Sequence, residues 1–279
     1  MNEKESKLQF SVLLSVYYKE KTDYLKASLD SIFNQSYPPN EVILVKDGFL
    51  TPELDHIIND YVSTRKEIKV IPLAENQGLG FALNQGLKLC SYKLIARMDT
   101  DDIAKFNRFE KQIQQFELYP ELDVVGCWID EFIDNKDNIV SQRKVPEYHD
   151  QIYSFAKKRN PMNHPSVMFK KDAVLSAGNY QHFPLFEDYY LWVRMLKQGF
   201  KFYNIQESLL YFRTSPYTFQ KRGGKEYLKN ENKLQFTFYR IGFISFSQYI
   251  SNMGLRLLIR LLPNKFRSYL YNRFARNKK

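Results

Sequence analysis

Short apolar runs alternate with segments of helical periodicity through the first hundred residues. Residues 10–18, FSVLLSVYY, are rich in Val, Leu and aromatics and predict a buried strand. Thr22 stands at a capping position, and Leu25, Leu29, Ile32 and Phe33 then form one helical stripe that Pro38-Pro39 ends. Residues 41–45 predict a second strand closing on Lys46-Asp47-Gly48. Thr51-Pro52 opens a helix whose inner face is Leu54, Ile57, Ile58 and Tyr61. A third strand over 68–73 leads through the turn Asn76-Gln77-Gly78-Leu79-Gly80 into a helix reaching Leu87, and Leu94-Ile95-Ala96 supplies a fourth strand. This alternation predicts an α/β fold with a doubly wound, mostly parallel, Rossmann-like sheet.

Past residue 102 the pattern changes. A helix over 107–118 is followed by a strand over 123–132, and Asp134 to Asn138 reads as a hairpin tip. Residues 147–158 predict a helix. Pro161 and Pro165 forbid one over 160–165, so an extended approach leads to a strand over 166–169. Phe186-Glu187-Asp188 opens an amphipathic helix that buries Leu191, Trp192, Met195 and Leu196 and ends at Gly199. A strand pair, near Phe202 and over 209–212, closes the body. The division expected is a body over 1–212, with halves 1–102 and 103–212, and a C-terminal helical extension over 213–279.

The 279 residues are 44% hydrophobic, ample for a buried core. Cys90 and Cys127 are far apart without metal-ligand spacing and point to a reducing compartment and core packing. The start, MNEKESKLQF, lacks an export signal, so a cytoplasmic location is expected. The net charge of +10 is uneven: residues 213–279 hold fifteen Lys and Arg against Glu226 and Glu231, leaving the body slightly acidic.

The chemistry concentrates in Asp99, Asp101 and Asp102, three carboxylates just past an apolar strand. In α/β sheets ligands collect beyond the carboxyl ends of strands. Acids this close raise one another's pKa unless a cation holds them, and Mg²⁺ or Mn²⁺ is the natural partner for oxygen ligands. A solvated acidic loop is the plain alternative.

The segments VLLSVYYKE, VILVKDG, NQGLGFALN, IARMDTDD, NHPSVMF and FEDYYLWVR stand in the order of family 2 glycosyltransferases. Over residues 8–212 the chain resembles these inverting enzymes of the GT-A fold, most of all bacterial ones that build extracellular or O-antigen polysaccharide. The resemblance implies that a sugar passes from a UDP-sugar to a hydroxyl of a polyprenyl-linked glycan. Tyr17, Tyr18 and Glu20 would border the nucleoside, Asp47 would read uracil, and Asn76 and Asn84 would lie beside the donor. Asp99, Thr100 and Asp101 form the DxD motif, with Asp101 and Asp99 on a Mn²⁺ or Mg²⁺ ion. Glu187 and Asp188 match the ED motif, Asp188 being the general base. His164, Trp192 and Asp102 would line the acceptor side. Lys46 replaces a common acid, Phe49 a common Ser, and Leu83 stands where relatives carry Arg, a loss Arg97 would make good unless it is only half-buried and paired. Each motif also has a structural reading: a turn Asp at 47, a helix-dipole role for 187 and 188, a satisfied His164 and a core Trp192.

The stretch 246–276 mixes Leu, Ile, Phe and Tyr with spaced Arg and Lys; Arg256 and Arg260 share a helical face, and Leu257, Leu258, Leu261 and Leu262 fill much of the rest before Pro263. That composition suits an interfacial helix on anionic lipid, with a packed helix pair as the alternative. Nucleic-acid binding lacks a stacking platform or known fold. A haloacid-dehalogenase-type phosphatase also uses DxD after a strand, but Ile103 and the late placement count against it. A nicotinamide site is weaker, since Leu83 stands where a third Gly or Ala is needed. A non-catalytic membrane module is the remaining alternative.

Overall fold

The computed structural model describes residues 7–215 and 225–261. The chain runs β1 (Phe10–Val16), α1 (Thr22–Phe33), β2 (Glu41–Lys46), α2 (Pro52–Thr64), β3 (Ile68–Pro72), α3 (Leu79–Leu89) and β4 (Leu94–Arg97). Next come β5 (Ile103–Ala104), α4 (Arg108–Leu118), β6 (Val124–Phe132), β7 (Ile139–Arg143), α5 (His149–Ala156), β8 (Met168–Lys170), α6 (Lys171–Ser176), α7 (Glu187–Lys197) and β9 (Phe202–Arg213). Two further helices follow, α8 (Lys225–Arg240) and α9 (Phe246–Leu261).

One sheet carries them in the order β3-β2-β1-β4-β8-β6-β9-β5, with β7 on β6. β3, β2, β1 and β4 are parallel; β8 runs antiparallel between β4 and β6. β8 thereby joins the two expected halves into one sheet, and β7 on β6 and β5 on β9 are antiparallel too. Alternate residues of the strands feed two cores. Val12, Leu14, Val42 and Leu44 pack against α1, α2 and α4, while Leu13, Ile43, Val45 and Ile95 pack against α3 and α7. α3 comes so close that a Cβ at Gly86 would lie 2.5 Å from Leu13 Cδ1 and 2.7 Å from Val45 Cγ2, so only glycine fits.

The chain departs from the expected elements at three places. Lys21, not Thr22, caps α1 with extended backbone, and no side chain closes that end. His164–Ser166 forms a 3₁₀ turn, because Pro165 suits the first turn of a helix, and the strand begins only at Met168. The strand pair over 202–212 is one long strand, whose register against β6 slips at Cys127/Trp128 and Trp128/Ile129.

The C-terminal extension is part of the body. Leu234 and Phe238 of α8 are fully buried, and the Phe238 ring meets Tyr189 of α7 edge-on with centroids 5.0 Å apart. Asn252 Nδ2 donates to the Lys157 carbonyl at 2.8 Å, and Arg256 pairs with Glu231 at 2.9 Å. The packed helix pair is therefore what forms over 225–256. The side chains of Leu257, Leu258, Arg260 and Leu261 are not described, and Leu262 and Pro263 lie outside the described residues.

Glu41 is a buried acid that ties three strands to the loop before β4. Its carboxylate accepts from Ser11 Oγ at 2.6 Å, Lys69 Nζ at 2.7 Å, and Ser91 N and Oγ at 2.7 Å each. Burial pushes its pKa up, but Lys69 and these hydrogen bonds outweigh burial and hold it down to about 2. A depressed acid stabilises the fold above its unfolded value, roughly pH 4.3, and loses that contribution as pH falls toward 2. Glu41→Gln is expected to lower the neutral-pH melting temperature by about 4–6 °C and to flatten the acid limb. Melting curves taken across this acid range check it, and a variant that melts like the native chain contradicts it.

Candidate active site

β4 ends at Arg97, and the acids follow at once, beyond the carboxyl edge of the parallel strands. Carboxylate oxygens of Asp99, Asp101 and Asp102 all lie within 4.8 Å of one another. Three constraints hold the loop. Ser28 Oγ of α1 donates to the Asp99 carbonyl at 2.9 Å, Thr100 Oγ1 donates to Glu20 Oε2 at 2.6 Å, and Arg213 N donates to Asp102 Oδ1 at 2.8 Å.

Burial pushes Asp101 up to about 7, helped by the charges of Asp99 and Glu20. Burial likewise raises Asp102 well above the usual carboxylate range, with Asp101 and Asp99 adding to it. Asp102 Oδ2 is buried and has no hydrogen-bond partner. Clustered oxygen donors with too little positive charge around them are the set a hard divalent cation takes. Asp99 and Asp101 are partly open to solvent, whereas Asp102 is fully buried. Asp102 therefore braces the loop and does not line an acceptor.

Arg97 is the nearby cation. It is 1% exposed and ion-paired through Nη2 with Asp99, while its Nε and Nη1 find no partner. Being buried, it offsets the acids from behind and does not reach out to a phosphate; of the two readings open for it, pairing holds, though burial is complete. On its far side lies His164, whose Nε2 stands 2.9 Å from Tyr180 Oη. Burial and the Arg97 charge hold His164 well below its ordinary pKa, so the ring is neutral. Trp192 is fully buried against His164, Phe169 and Phe202. It is a core residue, with no face free for a sugar.

Asp188 and Glu187 stand in the first turn of α7. Asn160 Nδ2 donates to Asp188 Oδ2 at 2.6 Å, and burial raises the Asp188 pKa. Burial also raises Glu187, whose Cγ would be 3.0 Å from a Cβ at Gly80 in the first turn of α3. Tyr180 links the two groups of acids: burial lifts its phenol above the usual range, and the charges of Asp99 and Asp188 both act on it. Arg97 acts in turn on Asp188. Asp99 and Asp188 thus both lie near the Tyr180 phenol.

The donor-side residues divide. Tyr17 and Tyr18 are 42% and 49% exposed at the end of β1, open for a planar ligand, with Glu20 beside them. Asp47 is different: it is 3% exposed, and its Oδ1 and Oδ2 accept from Gln77 N at 2.8 Å and Gly78 N at 3.0 Å. Both oxygens hold the turn into α3, so Asp47 has a structural role there. Asn76 Nδ2 donates to the Asp47 carbonyl, and Gly48, with φ +84° and Asn76 N 2.6 Å from where a Cβ would be, makes that approach possible. Asn84 is also engaged, through Nδ2 to the Tyr180 carbonyl at 3.2 Å and through Oδ1 with Asn179. Asn160, Tyr180 and Arg213 had escaped the sequence reading; only the Asn-Pro step at 160–161 hints at one of them.

The fold is an α/β sheet with an acidic loop at its carboxyl edge and a half-buried acid in the first turn of α7. The profile of Glycosyl transferase family 2 matches residues 11–177. The chain belongs to that family and is a glycosyltransferase. It is 38% identical over 268 residues to an Escherichia coli UDP-Gal:alpha-D-GlcNAc-diphosphoundecaprenol beta-1,3-galactosyltransferase, covering 96% of this chain and 97% of the relative. It is 37% identical to the amylovoran biosynthesis glycosyltransferase AmsE of Erwinia amylovora, over 95% and 98% of the two chains. The O-antigen biosynthesis glycosyltransferase WbnJ of Escherichia coli is 34% identical over 76% of this chain and 82% of the relative. In fold the chain is similar to S. aureus TarS residues 1–349, solved in complex with UDP-GlcNAc: TM-score 0.65, 15% identity, covering 96% and 74% of the chains. The GT-A expectation holds at the level of the fold.

Asp47→Asn replaces one acceptor oxygen with an NH₂ group facing a backbone N–H. It is expected to cost about 1–3 kcal/mol of stability, read in a urea titration. An acid that served only to contact a base would leave the midpoint where it was.

Proposed function

We propose that this glycosyltransferase moves a hexose or N-acetylhexosamine, with inversion, from a UDP-sugar to a hydroxyl of a polyprenyl-diphosphate-linked glycan during cell-surface polysaccharide synthesis. The observation that carries the reading is the cluster of carboxylates at Asp99, Asp101 and Asp102 just beyond the carboxyl end of β4, where α/β enzymes gather their ligands. The relative 38% identical over nearly its whole length is named for UDP-Gal and for GlcNAc on diphosphoundecaprenol, so UDP-galactose is the first donor to test.

Asp101 and Asp99 would hold Mn²⁺ or Mg²⁺, which when bound supplies positive charge against the departing diphosphate. Tyr17 and Tyr18 offer their exposed rings to the nucleoside, and the turn fixed by Asp47 bounds it. The acceptor hydroxyl attacks the anomeric carbon from the side away from the nucleotide. As the new C–O bond forms and the bond to phosphate breaks, Asp188 takes the hydroxyl proton. Asn160 and the Tyr189 backbone N–H hold the Asp188 carboxylate in place for that transfer. Glu187, against Gly80, sets the entry of α7.

Among the described residues no helix is long and apolar enough to cross a membrane. The outer face of α8 and α9 instead exposes Phe236, Tyr239, Phe246 and Ile250, with the Phe236, Tyr239, Phe246 and Tyr249 rings in mutual contact. Lys229, Lys233 and Arg240 share the exposed side of α8. Aromatic and cationic side chains together suit the inner face of an anionic membrane, where a polyprenyl-linked acceptor lies.

Asp101→Ala and Asp188→Asn are each expected to reduce transfer at least a hundredfold, but only Asp101→Ala to weaken Mn²⁺-dependent UDP binding in calorimetry. Equal loss of UDP binding in both variants overturns the roles. Because Asp188 is raised, kcat/KM should already fall at a pH above the ordinary carboxylate range, as protonation removes the base; the residual rate of Asp188→Asn should lack that limb. The triple change Phe236→Ser, Phe246→Ser and Ile250→Ser should release the full chain from anionic vesicles at unchanged melting temperature. Undiminished co-sedimentation counts against the lipid contact.

A further inference from the structure

The acidic loop is braced from a residue that no motif points to. Arg213 ends β9, where it pairs with Phe132 of β6. Its backbone N–H donates to Asp102 Oδ1, and its side-chain Nε donates to the Asp101 carbonyl at 2.9 Å. Nη1 donates to the Asp134 carbonyl at 3.2 Å, at a residue with φ +61° just beyond β6. The guanidinium lies between two rings, 3.8 Å from the centroid of Tyr24 in α1 and 4.5 Å from that of Phe132. One planar group thus joins the sheet, the first helix and the main chain of the middle acid of the loop.

We propose that Arg213 is a positioning residue for cation binding: it fixes the Asp101 main chain so that the Asp101 carboxylate points into the cleft with its neighbours. This rests on the reading that the loop holds a divalent cation with the donor diphosphate. The physical reason is repulsion. Asp99, Asp101 and Asp102 with Glu20 push one another apart, and Arg97 pairs only with Asp99. A loop under that stress needs a clamp on its backbone, and the Nε–H bond at 101 is that clamp. Arginine suits the task because its planar fork donates in two directions while its faces stack on aromatics. Lysine keeps the charge and loses the plane. The Arg213 head does not bond the acidic side chains: its two bonds go to the Asp101 and Asp134 carbonyls, and only the backbone N–H meets the Asp102 carboxylate, so the role of the head is geometric.

The test uses the full chain with saturating UDP and Mn²⁺ as the probe, following Mn²⁺ affinity by calorimetry and transfer rate against Mn²⁺ concentration. Groups that orient metal ligands are typically worth about 10–100-fold in metal affinity. Arg213→Ala is therefore expected to move the Mn²⁺ midpoint upward about tenfold, with kcat recovering to within about threefold at saturating Mn²⁺. Arg213→Lys should fall between the two. Should Arg213→Ala fail to fold, Tyr24→Ala, which removes one stacking face, gives the same shift at smaller size. A Mn²⁺ midpoint unchanged in these variants, or a kcat loss that saturating Mn²⁺ does not repair, overturns the proposal. A native chain that binds UDP equally with and without Mn²⁺ overturns the underlying cation reading instead, and with it the proposal.

Discussion

Repulsion among carboxylates at the end of one strand is the constraint on which this structure depends. Glu20, Asp99, Asp101 and Asp102 meet beyond β4, and burial of Asp101 and Asp102 raises the cost of keeping them charged. A fold spends stability on such a cluster only where the rest of the chain holds it together. Here Arg97 neutralises it from inside the sheet, while Ser28, Thr100 with Glu20, and Arg213 fix its backbone and its neighbours. Those partners come from β4, α1, the β1 loop and β9, so the loop is a product of the whole sheet.

The second acid is placed by a different device. Asp188 opens α7, and the loop before it is tied back to α3 by Asn84 with Asn179 and by Tyr180. Arg194 of α7 donates to the carbonyls of Ala177 and Asn179, closing the circuit. Leu185, with φ +71°, stands one residue before the cap of α7. A non-glycine residue in that region costs about 1–2 kcal/mol, and packing of Phe183 and Phe186 on either side holds it there. Asp188 and the acidic loop are thus positioned by separate networks.

The doubly wound half of the fold was legible because its strands are bounded by turn residues and its helices show clear stripes. The order of motifs also carried the family. What the sequence could not convey was which polar residues face inward. Asp47 reads as a ligand in a motif, but two backbone N–H groups claim it. Trp192 and Asp102 are fully buried, a property set by β8 and β9 returning through the sheet and not by neighbours in the chain. Arg213 lies 111 residues from Asp102, and no local pattern signals a bond over that separation. The basic tail was legible in composition but not in placement: Leu234 and Phe238 bury one side of α8 in the body while aromatic and cationic residues occupy the other.

The measurement that bears most directly on the account is a crystal structure of the full chain with Mn²⁺ and UDP, using the anomalous signal of manganese. The account predicts manganese at the carboxylates of Asp99 and Asp101, with Asp188 in the same cleft. UDP bound with no ion at the 99–102 loop, or a cleft from which Asp188 is walled off, would contradict it.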